Sequence, residues 1–328
     1  MSDYTRDEMM TVAAARALRN EDVCFVGIGM PSAAANLARL THAPDITLIY
    51  ESGTLGTKPT VLPLSIGDGE LCETALTTVS VPEMFRYWLQ GGRISVGFLG
   101  GAQIDRFANL NTTVIGPYDK PKVRLPGGGG APEIATSCHE VFITMAQGKR
   151  SFVDKLDFVT SLGHGDGKGA REKLGVTTKG PTRVITDLCL MEPDPETKEL
   201  TVVAMHPGAT REQIADSTGW SIKFAAELSE TPLPTAQELT VLRDLHARTK
   251  AAVEAQMLRR IKSDSGAKAA EQAAQAQEIS KVEARLQAAE KRYLPAAELT
   301  VNAIILAAAQ GVRFGELTEA QPKALLKV

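Results

Sequence analysis

DVCFVGIGMPSAAANLARLTHAPDITLIYE, residues 22–51, decides how this chain is built. It opens on an apolar, β-branched run, VCFVGI (23–28), that ends in two closely spaced glycines. Pro31 follows where a first helical turn accepts it, and Ala33 to Leu40 carry a helical pattern. ITLIYE (46–51) is a second apolar run of strand length. Strand, glycine turn, helix and strand in succession is the way a parallel sheet flanked by helices is written in sequence.

The alternation continues outward. ISVGFL (94–99), VFITM (141–145), RVITDL (183–188) and LTVVAM (200–205) read as further strands, and PEMFRYWLQGG reads as a helix opened by Pro82 and closed by Gly91. From about residue 8 to 206 the expected fold is therefore α/β, an open, mostly parallel sheet with flanking helices. After Pro234 no proline occurs until Pro295, alanine rises, and Gly266 is the only glycine in that interval. This predicts an α/β domain over 1–235 and an alanine-rich helical C-terminal extension over 236–328. Leu242, Leu245, Val253, Met257 and Ile261 keep a helical spacing that Ile279, Val282, Leu286 and Ala289 resume. Such helices could bind a partner or pack on their own domain.

Composition narrows the class. In 328 residues, 43% are hydrophobic, enough for a sizeable core. The 39 acidic and 36 basic residues are interspersed and leave a net charge of -3, so nucleic acid and anionic membrane are not expected partners. Cys24, Cys72, Cys138 and Cys189 form no CxxC pair and read as reduced packing residues. His42, His139, His164, His206 and His246 show no metal-ligand spacing, so no metal is expected. The N-terminus lacks the features of a signal or transit peptide and no apolar run reaches the ~20 residues of a membrane span, which makes a cytoplasmic protein the expectation.

The acid that closes the second strand, Glu51, can be read as a cap, a ribose ligand or a nucleophile. VGIGMPS (26–32) is nearly a dinucleotide fingerprint, in which the acid would hold a ribose hydroxyl. Ser32, however, replaces the third glycine, and Pro31 removes an amide from the helix start, so NAD is not the expected cofactor. A second constellation uses more of the chain. RLPGGGGAPEIATS (124–137) puts four glycines before a helix start, where backbone amides can cradle an oxyanion, and FLGGAQIDRFANLN (98–111) is another glycine-paired strand exit. The carboxyl ends of strands form the crevice of open α/β sheets, so Gly27, Gly29, Ser52, Gly53, Gly100, Gly101 and Gln103 are candidates to line a cleft around Glu51. Each glycine pair taken singly reads better as a tight turn; three such exits together with an acid favour the cleft.

These runs, with LIYESGTLG, LPLSIGD, VGFLGGAQIDRFANLNTTVIG, KVRLPGGGGAPEIA and SFVDKLDFVTSLGHGDGKGAREKLG, resemble the B (beta) subunit of family I CoA-transferases, in particular the glutaconate CoA-transferase type, as far as about residue 235. The resemblance implies that Glu51 attacks an acyl-CoA thioester, giving a mixed anhydride and CoA thiolate. The thiolate then forms a glutamyl-CoA thioester, and an incoming carboxylic acid reverses the steps. A glutamate side chain suits this chemistry because its ordinary pKa of about 4.3 needs no dedicated base near neutrality. The resemblance places an oxyanion donor among Gly128, Gly129 and Gly130. It also implies coenzyme A as acyl-CoA co-substrate and an A (alpha) subunit that completes the cleft, so that this chain alone is inactive.

Ser52, the rival nucleophile, lacks a GxSxG setting and reads as a hydrogen-bonding turn former, with Gly53 and Gly56 supplying the tight backbone. SLGHGDGKGAREK (161–173) reads either as a cover bringing Lys168 and Arg171 to CoA phosphates or as a solvated loop. The alternative enzyme class is an acyl-CoA decarboxylase or hydrolase on the same scaffold, and a non-catalytic binding subunit is the third reading; the retained ESG favours the transferase.

Overall fold

The computed structural model describes residues 3–258 together with residues 277, 280, 281 and 284. Compact packing divides the chain into Met1–Ala252 and Val253–Val328. The strands are β1 (Val23–Phe25), β2 (Thr47–Ile49), β3 (Thr54–Leu55), β4 (Thr77–Thr78), β5 (Val96–Leu99), β6 (Gln103–Ile104), β7 (Leu110–Asn111), β8 (Val114–Ile115), β9 (Val123–Arg124), β10 (Glu140–Thr144), β11 (Pro181–Ile185), β12 (Cys189–Pro193), β13 (Leu200–Met205) and β14 (Lys223–Glu230). The helices are α1 (Arg6–Arg16), α2 (Met30–Leu40), α3 (Gly69–Glu73), α4 (Val81–Glu83), the π-helix Met84–Leu89 that continues it, α5 (Ala131–Ser137), α6 (Ala170–Lys173) and α7 (Arg211–Asp216).

Ten strands form one sheet in the order β14-β13-β12-β11-β10-β5-β1-β2-β3-β4. Its centre, β11-β10-β5-β1-β2, is parallel throughout, and antiparallel pairings flank it on both sides. The six runs expected from sequence are β1, β2, β5, β10, β11 and β13. The flanking pieces β3, β4, β12 and β14 are additions to that expectation.

Alternation along the central strands sorts side chains onto two faces. Phe25, Ile49, Leu99, Ile143 and Val184 enter one buried cluster with Met84 and Leu89 of the π-helix and Ile134 and Ala135 of α5. Cys24, Leu48, Val96, Phe98, Phe142 and Ile185 enter the other with Met9 and Val12 of α1 and Ala34 and Leu37 of α2. The sheet is thus covered on both faces, which is why its central strands read as unbroken apolar runs. Cys24, Cys138 and Cys189 are buried among them, whereas Cys72 is exposed.

α5 lies close on β5. A Cβ on Gly97 would meet Cys138 Sγ at 2.6 Å and Ile134 Cγ2 at 2.7 Å, so only glycine lets the helix seat there. That seating fixes the polyglycine segment immediately before α5.

The first compact unit extends past the boundary expected at 235. Helical backbone starts at 236, behind a Thr235–Glu238 capping box, and Leu239, Leu242 and Leu245 are buried. Arg16 of α1 holds Glu238 through Nε and Nη2, each at 2.7 Å, and donates to Pro232 O and Leu233 O. The spaced apolar positions at Ile261, Ile279, Val282, Leu286 and Ala289 lie outside the described residues. No helix among the described residues is long and apolar enough to cross a membrane.

Candidate active site

Glu51 stands at the crest of the β2–β3 hairpin. Tyr50 N–H donates to Thr54 O at 3.1 Å and Gly53 N–H donates to Tyr50 O at 3.0 Å, leaving Glu51 and Ser52 between them. Tyr50 is fully buried beneath the turn, its hydroxyl 2.7 Å from Ser32 Oγ of α2, and Asn36 Nδ2 secures Ser32 O at 2.9 Å. Burial pushes the Tyr50 phenol up to about 12, against the pull of its bond to Ser32. Ser32, the residue that spoils the dinucleotide fingerprint, therefore anchors the residue before Glu51.

Gly53 holds the other side. Its φ of +101° favours glycine, and a Cβ there would lie 2.0 Å from Val79 O. Val79 N–H donates to Gly53 O at 2.9 Å, tying the turn to the segment that enters α4.

The Glu51 carboxylate is half-buried and accepts no hydrogen bond or ion pair among the described residues. It reaches the polyglycine loop. A Cβ on Gly130 would sit 2.9 Å from Glu51 Oε1 and 2.8 Å from Phe85 Cζ, so acid, ring and backbone converge where only a hydrogen fits. The loop is held from behind: Gly127 N–H donates to Thr112 O at 2.8 Å, and Thr112 Oγ1 returns a bond to Gly127 O at 2.7 Å. With Gly127 at φ +99° and Gly129 at φ +50°, the backbone folds tightly, and the amides of Gly128, Gly129 and Gly130 donate to no acceptor among the described residues. Gly128 rests against Pro132 and the Thr160 methyl, Gly129 is exposed, and Gly130 is buried beside Glu51.

The remaining expected cleft residues sit in turns and in the β6–β7 ribbon. Gly27 and Gly29 make the β1–α2 turn, Gly29 at φ +81° as the residue before α2. Gly100 and Gly101 leave β5, pressed on Thr144 O and on Gln103 O and Asn111 O, respectively. Gln103 is buried and spent internally. Its Nε2 donates to Asp157 Oδ2, and its Oε1 accepts from Asn111 Nδ2 and Asp157 N–H, which makes it a strut of the β6–β7 ribbon. Ser52 Oγ, expected to bond within the turn, is buried with no hydrogen-bond partner; backbone bonds and Gly53 shape the turn instead.

In SLGHGDGKGAREK the two expected cations have different settings. Arg171 is 5% exposed, and its guanidinium donates to Gly163 O, Ala135 O, Thr178 O and Thr178 Oγ1. It ties the loop beneath α5, and burial holds its pKa below the usual range. Lys168 is exposed and paired with Glu196 at 2.6 Å. Asn109 latches the same loop, its Oδ1 accepting from the N–H groups of Gly163 and Gly165.

Phe85 is the site residue that sequence reasoning passes over. PEMFRYWLQGG reads only as a helix; nothing in its sequence distinguishes a π-turn from an α-turn. Among the described residues, no three His, Cys, Asp or Glu side chains are gathered as a metal site requires.

The profile of the family described as "Coenzyme A transferase" matches residues 7–217. The chain is 65% identical to the B subunit of the 3-oxoadipate CoA-transferase of Pseudomonas knackmussii over 77% of its own length and 97% of that protein. It is 37% identical to the B subunit of the glutaconate CoA-transferase of Acidaminococcus fermentans, covering 73% of this chain and 91% of the relative. The crystal structure of glutaconate coenzyme A-transferase from A. fermentans superposes with a TM-score of 0.70 at 34% identity, over 74% of this chain and 94% of that one. With the family profile spanning most of the α/β unit and the superposition covering the same fold, this chain belongs to the coenzyme A transferase family.

Proposed function

We propose that this chain is the B subunit of a two-subunit CoA-transferase that moves CoA between an acyl-CoA and a dicarboxylic acid, with Glu51 as the covalent nucleophile. The observation that carries the reading is the convergence of an unpaired carboxylate on a loop whose three amides are unspent. A Glu51 oxygen attacks the thioester carbonyl, the electron pair moves onto its oxygen, and collapse expels CoA thiolate to leave a mixed anhydride. The thiolate then attacks Glu51 Cδ, releasing the donor carboxylate and leaving a glutamyl-CoA thioester. An acceptor carboxylate runs the sequence backwards, so no net proton or water is consumed. Both tetrahedral stages carry an oxyanion, for which the Gly128–Gly130 amides are the donors, Gly130 being nearest to Glu51.

Both relatives are named for dicarboxylic acids, 3-oxoadipate in one and glutaconate in the other. At 65% against 37% identity, 3-oxoadipate is the better acceptor candidate, which moves the substrate away from the glutaconate expected from sequence. Each relative is the B component of its enzyme, which supports an A subunit as partner of this chain. The test is reconstitution with an A subunit and a panel of acceptors. Transfer to 3-oxoadipate with higher kcat/KM than to glutaconate, and none from this chain alone, is expected. Full activity of the isolated chain, or hydrolysis without acceptor dependence, overturns the proposal.

A further inference from the structure

We infer that Phe85 is a specificity-determining residue, the wall that limits the bulk of the acyl group at the carbon adjoining the reacting carbonyl. The inference rests on the function proposed above and adds a substrate restriction to it. Phe85 lies in the π-helix, a conformation found in well under 1% of residues and most often near functional sites. Gln90 N–H bonds Phe85 O at 2.8 Å and Arg93 N–H bonds Trp88 O at 3.0 Å, both five residues apart. Gly91 permits this winding, because a Cβ there would lie 2.1 Å from Tyr87 O. The wider turn is joined to the nucleophile's own turn through Val79 and Gly53, and the Ser80 hydroxyl caps its entry at Glu83 N–H. The ring and the Glu51 carboxylate are thereby fixed in one local frame.

Within that frame the ring packs edge-on against Phe25 at 6.3 Å between centroids, while Cζ and Cε1 point to Gly130 beside Glu51 Oε1. Phe85 is only half-buried, so the chain leaves part of an aromatic ring uncovered next to an unpaired carboxylate. A carbonyl attacked by that oxygen carries its first acyl carbon within reach of the ring. A hydrogen there is accommodated, whereas a methyl branch collides. Tyr87, 62% exposed in the same π-turn, serves as the control.

The experiment compares succinyl-CoA with 2-methylsuccinyl-CoA as donors for the reconstituted two-subunit complex. In Phe85→Ala, the ratio of kcat/KM for the branched to the linear ester should rise about tenfold or more, a range typical of one methyl group in a fitted pocket. Phe85→Leu should move it the same way by about threefold, and Tyr87→Ala should leave it unchanged. A ratio within about twofold of the parent in both Phe85 variants, or an equal loss on both esters, overturns the inference. Should Phe85→Ala fail to assemble, the ratio in Phe85→Leu decides the question in its place. Absence of a CoA adduct on Glu51 in the unsubstituted complex would instead contradict the proposed mechanism, and the selectivity ratio would still be read from turnover.

Discussion

Gly53 and Gly130 are both glycines beside Glu51, but for different reasons, and their substitutions should separate. Gly130 has φ −81°, which any residue adopts, so only space demands glycine there. Gly130→Ala keeps the amide but drives a Cβ against Glu51 Oε1 and the Phe85 ring, and should lower kcat by about a hundredfold through misplacement of the nucleophile, with a smaller stability loss than Gly53→Ala. Gly53→Ala places a side chain at φ +101° against Val79 O and should cost about 1–3 kcal/mol of stability as well as activity. Tyr50→Phe leaves the buried Ser32 hydroxyl with only the long 3.5 Å bond from Asn36 Nδ2 and should destabilise by about 1 kcal/mol, measured by urea unfolding, while turnover stays within severalfold. Glu51 stands out in the sequence as an acid closing an apolar strand, but that position alone leaves cap, ribose ligand and nucleophile open, and the resemblance is what singles out the nucleophile. Arg171 is not legible, because sequence shows a cation among glycines but not the fold of the loop that turns it inward to carbonyl oxygens.

At the scale of elements, long apolar runs declare themselves and short ones do not. β10 and β13 are buried or half-buried along their length and read clearly, whereas β3 and β4 have two residues each and take their strand geometry from the Glu51 hairpin. β14, KFAAELSE, is mostly exposed and carries no apolar alternation. The helix starting at 236 reads as the beginning of an appendix because composition changes there. Its first turns nonetheless belong to the α/β unit, held by Arg16 of α1 and by Leu242 in the core shared with α1 and α2. Arg16→Met should lower the urea midpoint by the equivalent of about 2 kcal/mol, since Glu238 would lose its charged partner and two carbonyl oxygens would lose their donor. An unchanged midpoint would show that the leucines alone dock the helix.

For the whole molecule, acid sensitivity follows from two buried histidines. His206 lies between Thr231 Oγ1 and Thr186 O, and His164 Nε2 bonds Pro181 O; burial holds both below the usual imidazole range. The unfolded chain takes up their protons near the ordinary value of about 6.5, before the folded chain does, so stability falls as pH drops below that value and stops falling once the folded sites protonate. The urea midpoint should therefore be lower at about pH 5.5 than at about pH 7.5, and a flat or rising profile across that window would contradict the assignment. The parallel core and its two covered faces are legible from alternating runs and glycine exits. What the ring of Phe85 and the unspent amides contribute is not, because both depend on distances between segments far apart in the chain. The central claim is that Glu51 itself becomes joined to coenzyme A. Mass spectrometry of the two-subunit complex after exposure to an acyl-CoA should find CoA on the peptide that contains Glu51 and lose it in Glu51→Gln; an adduct on another residue, or one that survives the substitution, would contradict the account.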